Sequence, residues 1–482
     1  MSAVSGRARG GHAPWPAAAS LARTTRTRLR ADRLASRFVT AGGLVIIASI
    51  IGILAFILIE VWPLLRRAEV KATRPLALSG PPLRALLADE HRRYVAGIDA
   101  SGALRIIDSS SGALALSRPL APGNAPVEIV DAKSHPSEGL ITAATDTGDV
   151  LMVRVHWDVS FEGRKRITTP RVEEAIVTRV DPSGAPAVPY AARRAPGGGG
   201  TIAAQRSDGT LLLIRREEEE NFLTGETRVS ISREEHPVGT PLSRLALDAA
   251  QRFLYAGTPD GRLLAWPVQR QGLGRPEEAD AGGAAVTSLD LLIGDRALVV
   301  GQADGSLSVW FRVPREEGGF RLARIRDFPP HGAPVVAVAP SLRNKGFLAL
   351  DQAGGLGLYY STSHRTLWTG RPGAAAPADV AFAPKSDGAY VSGPASLEAW
   401  DIHNPHPEVS LRSLFGSVWY EGYRKPELVW QSSSGADDFE PKLSLTPLLV
   451  GTLKGTLYSL ILAIPLARLS AAPLVLAWSR HR

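Results

Sequence analysis

One phrase returns along the middle of this chain, between about residues 80 and 405. It is most legible as "FLYAGTPDGRLLAWPV" from Phe253 and "ALVVGQADGSLSVWFRV" from Ala297, each an apolar strand, a turn holding Gly, and a second alternating strand. Related versions read "YVAGIDASGALRIID", "LITAATDTGDVLMVRV", "TIAAQRSDGTLLLIRR", "FLALDQAGGLGLYYS" and the more worn "AYVSGPASLEAWDI". Aligned on the turn, the markers are Gly102, Gly148, Gly209, Gly261, Gly305, Gly354 and Ala395. Asp-Gly and Ser-Gly pairs supply the positive φ of a tight hairpin. The alternation that follows sets Leu211 with Leu213, and Leu307 with Val309, on one face of a strand.

A hairpin of this kind cannot bury its apolar face alone. Repetition at about 40 to 60 residues is the spacing of four-stranded blades stacked radially, so the phrase predicts a β-propeller of about seven blades over 80–405. A β-sandwich has similar strand density but does not account for a returning phrase. The endings at Trp266, Trp310 and Trp400 are similar to WD40-like blades, although the Trp-Asp dipeptide stands in that role only at Trp400-Asp401.

Two apolar segments flank the repeats. "FVTAGGLVIIASIIGILAFILIEVW", residues 38–62, holds about 22 uncharged residues before Glu60, or roughly 33 Å of helix, enough to cross a bilayer. The arm before it, residues 1–37, sets Arg7, Arg9, Arg23, Arg26, Arg28, Arg30, Arg33 and Arg37 against Asp32. Much of the formal charge of +8 therefore sits in this arm, which is read as membrane-orienting and not as a nucleic-acid signal. A cleaved leader is the competing reading, but the apolar run is long and "PLLRRAEV" offers no small-x-small site. An Arg-rich arm also fits an organellar transit peptide, a reading that the directly following apolar run disfavours. The positive-inside rule then places the N-terminus in the cytoplasm and the propeller outside it, with Arg66, Arg67, Lys71 and Arg74 as a smaller basic group on the far side.

Chemistry-bearing motifs are scarce. Cysteine is absent, which excludes disulfides and thiolate-held metals. No nucleophile elbow, zinc-binding His-Glu-x-x-His or Walker sequence occurs, and Asp146, Asp208, Asp260 and Asp304 are explained by turn geometry. The charge run in "RREEEENFLTGETRVSISREEHPV" from Arg215 reads as a solvated hairpin connection, "APGGGGT" from Ala195 as a flexible linker, and His403 with His406 as a turn without further ligands. No enzyme, cofactor or metal is expected. A quinone-dependent propeller enzyme shares only the architecture.

After the propeller comes a connector, residues 406–443, with Trp419, Tyr420, Tyr423 and Trp430 in a polar setting. These aromatics suit either the headgroup region of an outer leaflet or packing under the last blade. The second apolar segment, residues 444–467, carries a complication: from Lys454 to Arg468 the uncharged run spans only about 20 Å, so a crossing must include Lys454. Gly451, Gly455 and Ser459 recur at four-residue spacing, a small-residue face suited to a neighbouring helix.

The stretch "FEPKLSLTPLLVGTLKGTLYSLILAIPLA", Phe439 to Ala467, resembles the start of the transmembrane domain in binding-protein-dependent ABC permeases, most closely the PstC-like subunits of phosphate importers. The resemblance rests on Pro447-Leu448-Leu449, Gly451-Thr452-Leu453, Leu457-Tyr458-Ser459-Leu460 and Ala463-Ile464-Pro465-Leu466-Ala467. The family motif positions carried over are Pro447, Gly451, Thr452, Leu453, Pro465 and Leu466. The resemblance implies an inner-membrane protein with a cytoplasmic N-terminus and a large external insertion after its first helix. It also implies a second permease subunit, a cytoplasmic ATPase and a periplasmic phosphate-binding protein as partners, besides membrane lipid.

Residues 468–482, "RLSAAPLVLAWSRHR", depart from that pattern and read as a short divergent tail, so the permease core is expected to be truncated here. The expectation is a permease component of an importer for inorganic phosphate, with no residue assignable to substrate. The alternative is a membrane-anchored propeller that binds proteins or the envelope.

Overall fold

Each recurring phrase becomes the second and third strands of an antiparallel sheet, and the segments between phrases supply the first and fourth. The computed structural model describes residues 26–73, 75–121, 127–195, 198–220, 227–373 and 376–479. Contacts divide the chain into two units, Met1–Pro63 and Leu64–Arg482. In the first unit a helix, α1, runs over Arg26–Val61, so it begins inside the basic arm; the arm before it lies outside the described residues.

The second unit is mostly β. Among the described residues it holds seven larger sheets, each of four or five strands, and one two-stranded sheet. Their first strands are Arg84–Ala88, Ile129–His135, Tyr190–Arg194, Arg244–Leu247, Val286–Leu291, Val335–Pro340 and Asp379–Phe382. This arrangement is consistent with a WD40-like propeller.

The turns between second and third strands carry the Gly markers. Gly102, Gly148, Gly209, Gly261, Gly305 and Gly354 all have φ between 78° and 86°. At Gly305 two demands coincide: φ is 86°, and a Cβ would stand 2.2 Å from the His331 carbonyl oxygen. The acids of these turns serve the backbone. Asp208 accepts from the Thr210 N–H and Asp304 from the Ser306 N–H, and Arg206 beside Asp208 holds its carboxyl down at about 2.

The core lies between sheets. Leu151 and Val153 of the second sheet pack on Ile98 and Ile106 of the first; Leu298, Val300 and Trp310 of the fifth pack on Tyr255 and Leu263 of the fourth. The seventh sheet packs on the first, through Tyr390 and Leu397 against Leu86 and Val95. Each such fully buried apolar side chain contributes about 1.5–3 kcal/mol. Polar bonds cross the same junction: Asp379 Oδ2 accepts from the Leu86 N–H at 2.9 Å, and Ser392 Oγ donates to the Leu83 carbonyl at 2.7 Å.

The seventh sheet takes its outer strands from far upstream. Glu69–Ala72 pairs antiparallel with His403–Trp400, and Leu76–Ala77 with Leu397–Ser396. The β unit thus starts before residue 80, the boundary expected from the phrase. Within "APGGGGT", read as a linker, Gly200 and Thr201 belong to a strand and the Ala195 N–H donates to the Gly199 carbonyl, while Pro196 and Gly197 lie outside the described residues.

Candidate functional site

In an antiparallel sheet the turn from first to second strand and the turn from third to fourth strand lie at one end. In this protein those ends gather on one face. Glu90 and His91 of the first sheet, Pro136 of the second, Arg343 of the sixth and Pro384 of the seventh line one cavity of about 470 Å³. Arg343 and Lys385 reach Glu90 at 3.4 and 3.7 Å, tying these turns together.

The connector lies on this face. After His403 the chain turns into a short helix, α2 (Leu411–Phe415), started by a capping box in which Ser410 Oγ accepts from the Ser413 N–H at 3.0 Å. It is fastened to the turn of the sixth sheet: Ser363 Oγ donates to the Pro407 carbonyl and Arg365 Nη1 to the Val409 carbonyl. Asp438 sits against Gly294, where a Cβ would be 2.7 Å from its Oδ2.

A buried set of charges forms the centre of this attachment. Lys345 Nζ donates to Glu421 Oε2 at 2.7 Å and to the Ile293 carbonyl at 2.6 Å, with its side chain only 1% exposed. Glu440 accepts from Thr362 Oγ1 at 2.5 Å and from the Glu421 N–H at 2.8 Å. Arg326 donates to the Trp419 carbonyl at 2.7 Å. Burial drives the Glu421 carboxyl up to about 7, opposed by Lys345 and reinforced by Glu440. Burial also lowers the Arg326 and Lys442 pKa values, and Lys442 lies 4.8 Å from the Phe439 ring centre. Of the connector aromatics, Tyr420 is fully buried, Trp419 packs on the core of the fifth and sixth sheets, and Trp430 is exposed.

This attachment sets the start of the last helix, α3 (Thr446–Ser479). Its first turn is held by the Leu445 N–H on the Leu414 carbonyl at 2.7 Å and by Thr446 Oγ1 on the Phe415 carbonyl at 3.2 Å. By length and composition, two stretches are able to cross a membrane, Arg33–Leu64 and Thr446–Leu469. The helix also continues through the described part of the tail expected from 468.

The motif positions lie along α3: Pro447 in its first turn, then Gly451, Thr452 and Leu453, with Pro465 and Leu466 further on. Thr452, Thr456 and Ser459 spend their hydroxyls on carbonyls four residues earlier. Gly451 and Gly455 have open space where a Cβ would stand. Lys454 Nζ lies 5.8 Å from the Tyr458 ring centre.

A second concave site, about 150 Å³, is lined by the first strands of all seven sheets. Its cations are engaged by backbone. Lys133 Nζ donates to the Tyr190 and Leu245 carbonyls at 3.1 and 2.5 Å, Arg193 Nε to Leu247 at 2.9 Å, and Arg244 Nε to Thr287 at 2.7 Å. Burial lowers the Lys133 pKa and pushes Asp290 up to about 6. These side chains pin neighbouring inner strands to one another. His406 faces Glu408 at 3.5 Å, and among the described residues no group of three or more His, Asp or Glu has the makings of a metal site.

No family model matches the chain, and no curated protein matches it. Among solved structures it is similar to a chain from "Crystal Structure of Mitotic Checkpoint Complex", at 12% identity and a TM-score of 0.46, over 70% of this chain and 94% of that one.

Proposed function

We propose that this protein is a permease component of a phosphate-type ABC importer, whose closed seven-bladed propeller stands outside the cytoplasm between two membrane spans. The observation that carries the reading is that the β unit is entered and left on one face. Glu69, where the outer strand begins, pairs with His403, where the last inner-to-outer run ends, and the connector that follows delivers α3 from that same face. A domain inserted between two helices of one membrane protein needs that arrangement. Support for ring closure comes from the packing of the seventh sheet on the first.

The permease assignment rests on the resemblance over Phe439 to Ala467. The recurrence of Gly451, Gly455 and Ser459 at four-residue spacing supports it, since such small-residue faces let a neighbouring helix approach closely. In this reading a cytoplasmic ATPase, a second permease subunit and a phosphate-binding protein are the partners.

The cysteine-free chain allows a direct test. Gly455→Cys, co-expressed in the membrane with the second permease subunit of a phosphate importer carrying single cysteines, is expected to form an oxidative crosslink to one of its helices. A full scan without crosslinks, with α3 still membrane-embedded, would favour an anchored propeller that binds proteins or the envelope.

A further inference from the structure

The third strand of the second sheet is far longer than its sheet. Asp149–Glu162 pairs with the second strand only from Val150 to Arg154; beyond Val155 it pairs solely with Lys165–Val172. From His156 to Glu162 this two-stranded ribbon overhangs by roughly 23 Å. It projects from the face that carries the connector and the start of α3, because His156, Trp157 and Val159 border the cavity that Arg343 and Pro384 also line.

The tip carries a combination that water does not favour. Phe161 is 66% exposed and Val159 46%, on one face of the ribbon. Beside them, Arg164, Lys165 and Arg166 are exposed, with Glu162 as the acid of the turn, and Phe161 stands opposite Arg166 in register. Among the described residues none of these three bases makes an ion pair, whereas Arg171, lower on the ribbon, is held by Asp158 at 3.0 Å. Apolar side chains ringed by unpaired bases are the composition that settles into an anionic interface. The adjacent hairpin, with Glu217 and Glu218 on its overhang, has the opposite charge.

We propose that the tip of the Asp149–Val172 ribbon, through Phe161, Val159 and Arg164 to Arg166, rests on the anionic headgroups of the bilayer that α3 enters, as a second foot for the propeller. This rests on the membrane reading given above. A ribbon held at one end of the β unit and a helix fixed at another point of the same face restrict tilting of the domain over the membrane.

The test uses the full chain in bilayers containing phosphatidylglycerol, with one environment-sensitive fluorophore at a time on Ser160→Cys, on Ser207→Cys in a turn of the opposite face, or on Leu457→Cys in α3. Quenching by a headgroup-labelled lipid is expected to be at least about twofold stronger at 160 than at 207. It should fall to the level of 207 in the R164E/K165E/R166E background and in phosphatidylcholine alone. Deep acyl-chain quenching at 457 with no excess at 160 overturns the ribbon contact and leaves the span intact. No quenching at 457 overturns the membrane reading and the contact with it. A water-shielded label at 160 that ignores lipid composition also overturns it, in favour of a protein contact.

Discussion

Lys345 Nζ lies 2.7 Å from Glu421 Oε2, and this ion pair joins a turn of the sixth sheet to a connector residue far along the chain. Both side chains are almost wholly buried. Two ions taken out of water are costly, and their attraction compensates only when every remaining donor and acceptor is met. Here the Ile293 carbonyl accepts a second Lys345 N–H, and Glu440 and Arg326 extend the network. The connector is thereby fixed as a strut between the β unit and α3.

Removing one partner should therefore be worse than removing both. Lys345→Met leaves Glu421 buried beside Glu440 and is expected to cost about 3–5 kcal/mol. The double variant K345M/E421L should recover much of that loss. Hydrogen exchange checks it: residues 406–445 should lose protection in K345M while the first four sheets keep theirs.

How far the sequence foretold this structure differs by element. The hairpin phrase was legible because its determinants are local: Gly at a positive φ and alternation on either side. The outer strand Glu69–Ala72 was not, since it is short, mostly exposed and defined only by its partner His403–Trp400. The clamp was equally hidden. Lys345 sits in a turn, Glu421 among connector aromatics, and nothing in the spacing of either announces a contact across 76 residues. Trp419 and Tyr420, open to two readings in sequence, are both taken inward, Trp419 onto the core of the fifth and sixth sheets and Tyr420 against Tyr423 and Lys442 of the connector itself.

Two marker glycines separate conformational strain from crowding. Gly209 has φ 85° and nothing within 4 Å of a Cβ; Gly305 has φ 86° and a carbonyl at 2.2 Å. Gly209→Ala should cost about 1 kcal/mol, the price of a left-handed non-glycine residue. Gly305→Ala adds the displacement of backbone at His331 and should cost about 3 kcal/mol. Denaturant unfolding of the full chain in detergent reads the difference.

Asp290 makes stability pH-dependent. Burial pushes its carboxyl from 3.8 up to about 6, with Arg193 and Lys133 opposing and Asp295 adding to the rise. Between these values the native state keeps a proton that the unfolded chain has released. Stability is therefore highest below about pH 4, falls as pH rises from about 4 to about 6, and is level above, a loss of about 3 kcal/mol. Asp290→Asn keeps the acceptor for the Leu291 N–H and should remove this contribution to the slope. Asp379, also pushed up to about 6, leaves a residual slope of similar size in the same direction.

Lys454 sets the insertion energy of α3 in the proposed topology. A crossing that starts near Thr446 and ends near Leu469 carries it about a third of the way along, where a lysine costs up to about 2.5–3.5 kcal/mol before its side chain bends toward the interface. Lys454→Leu should then favour insertion by about 2 kcal/mol, a shift of roughly 30-fold in the inserted-to-excluded ratio. Glycosylation acceptors placed on either side of α3 in the full chain, translated with microsomes, measure that ratio. An unchanged ratio would show that the Lys454 side chain reaches the interface from within the crossing and adds nothing to its cost.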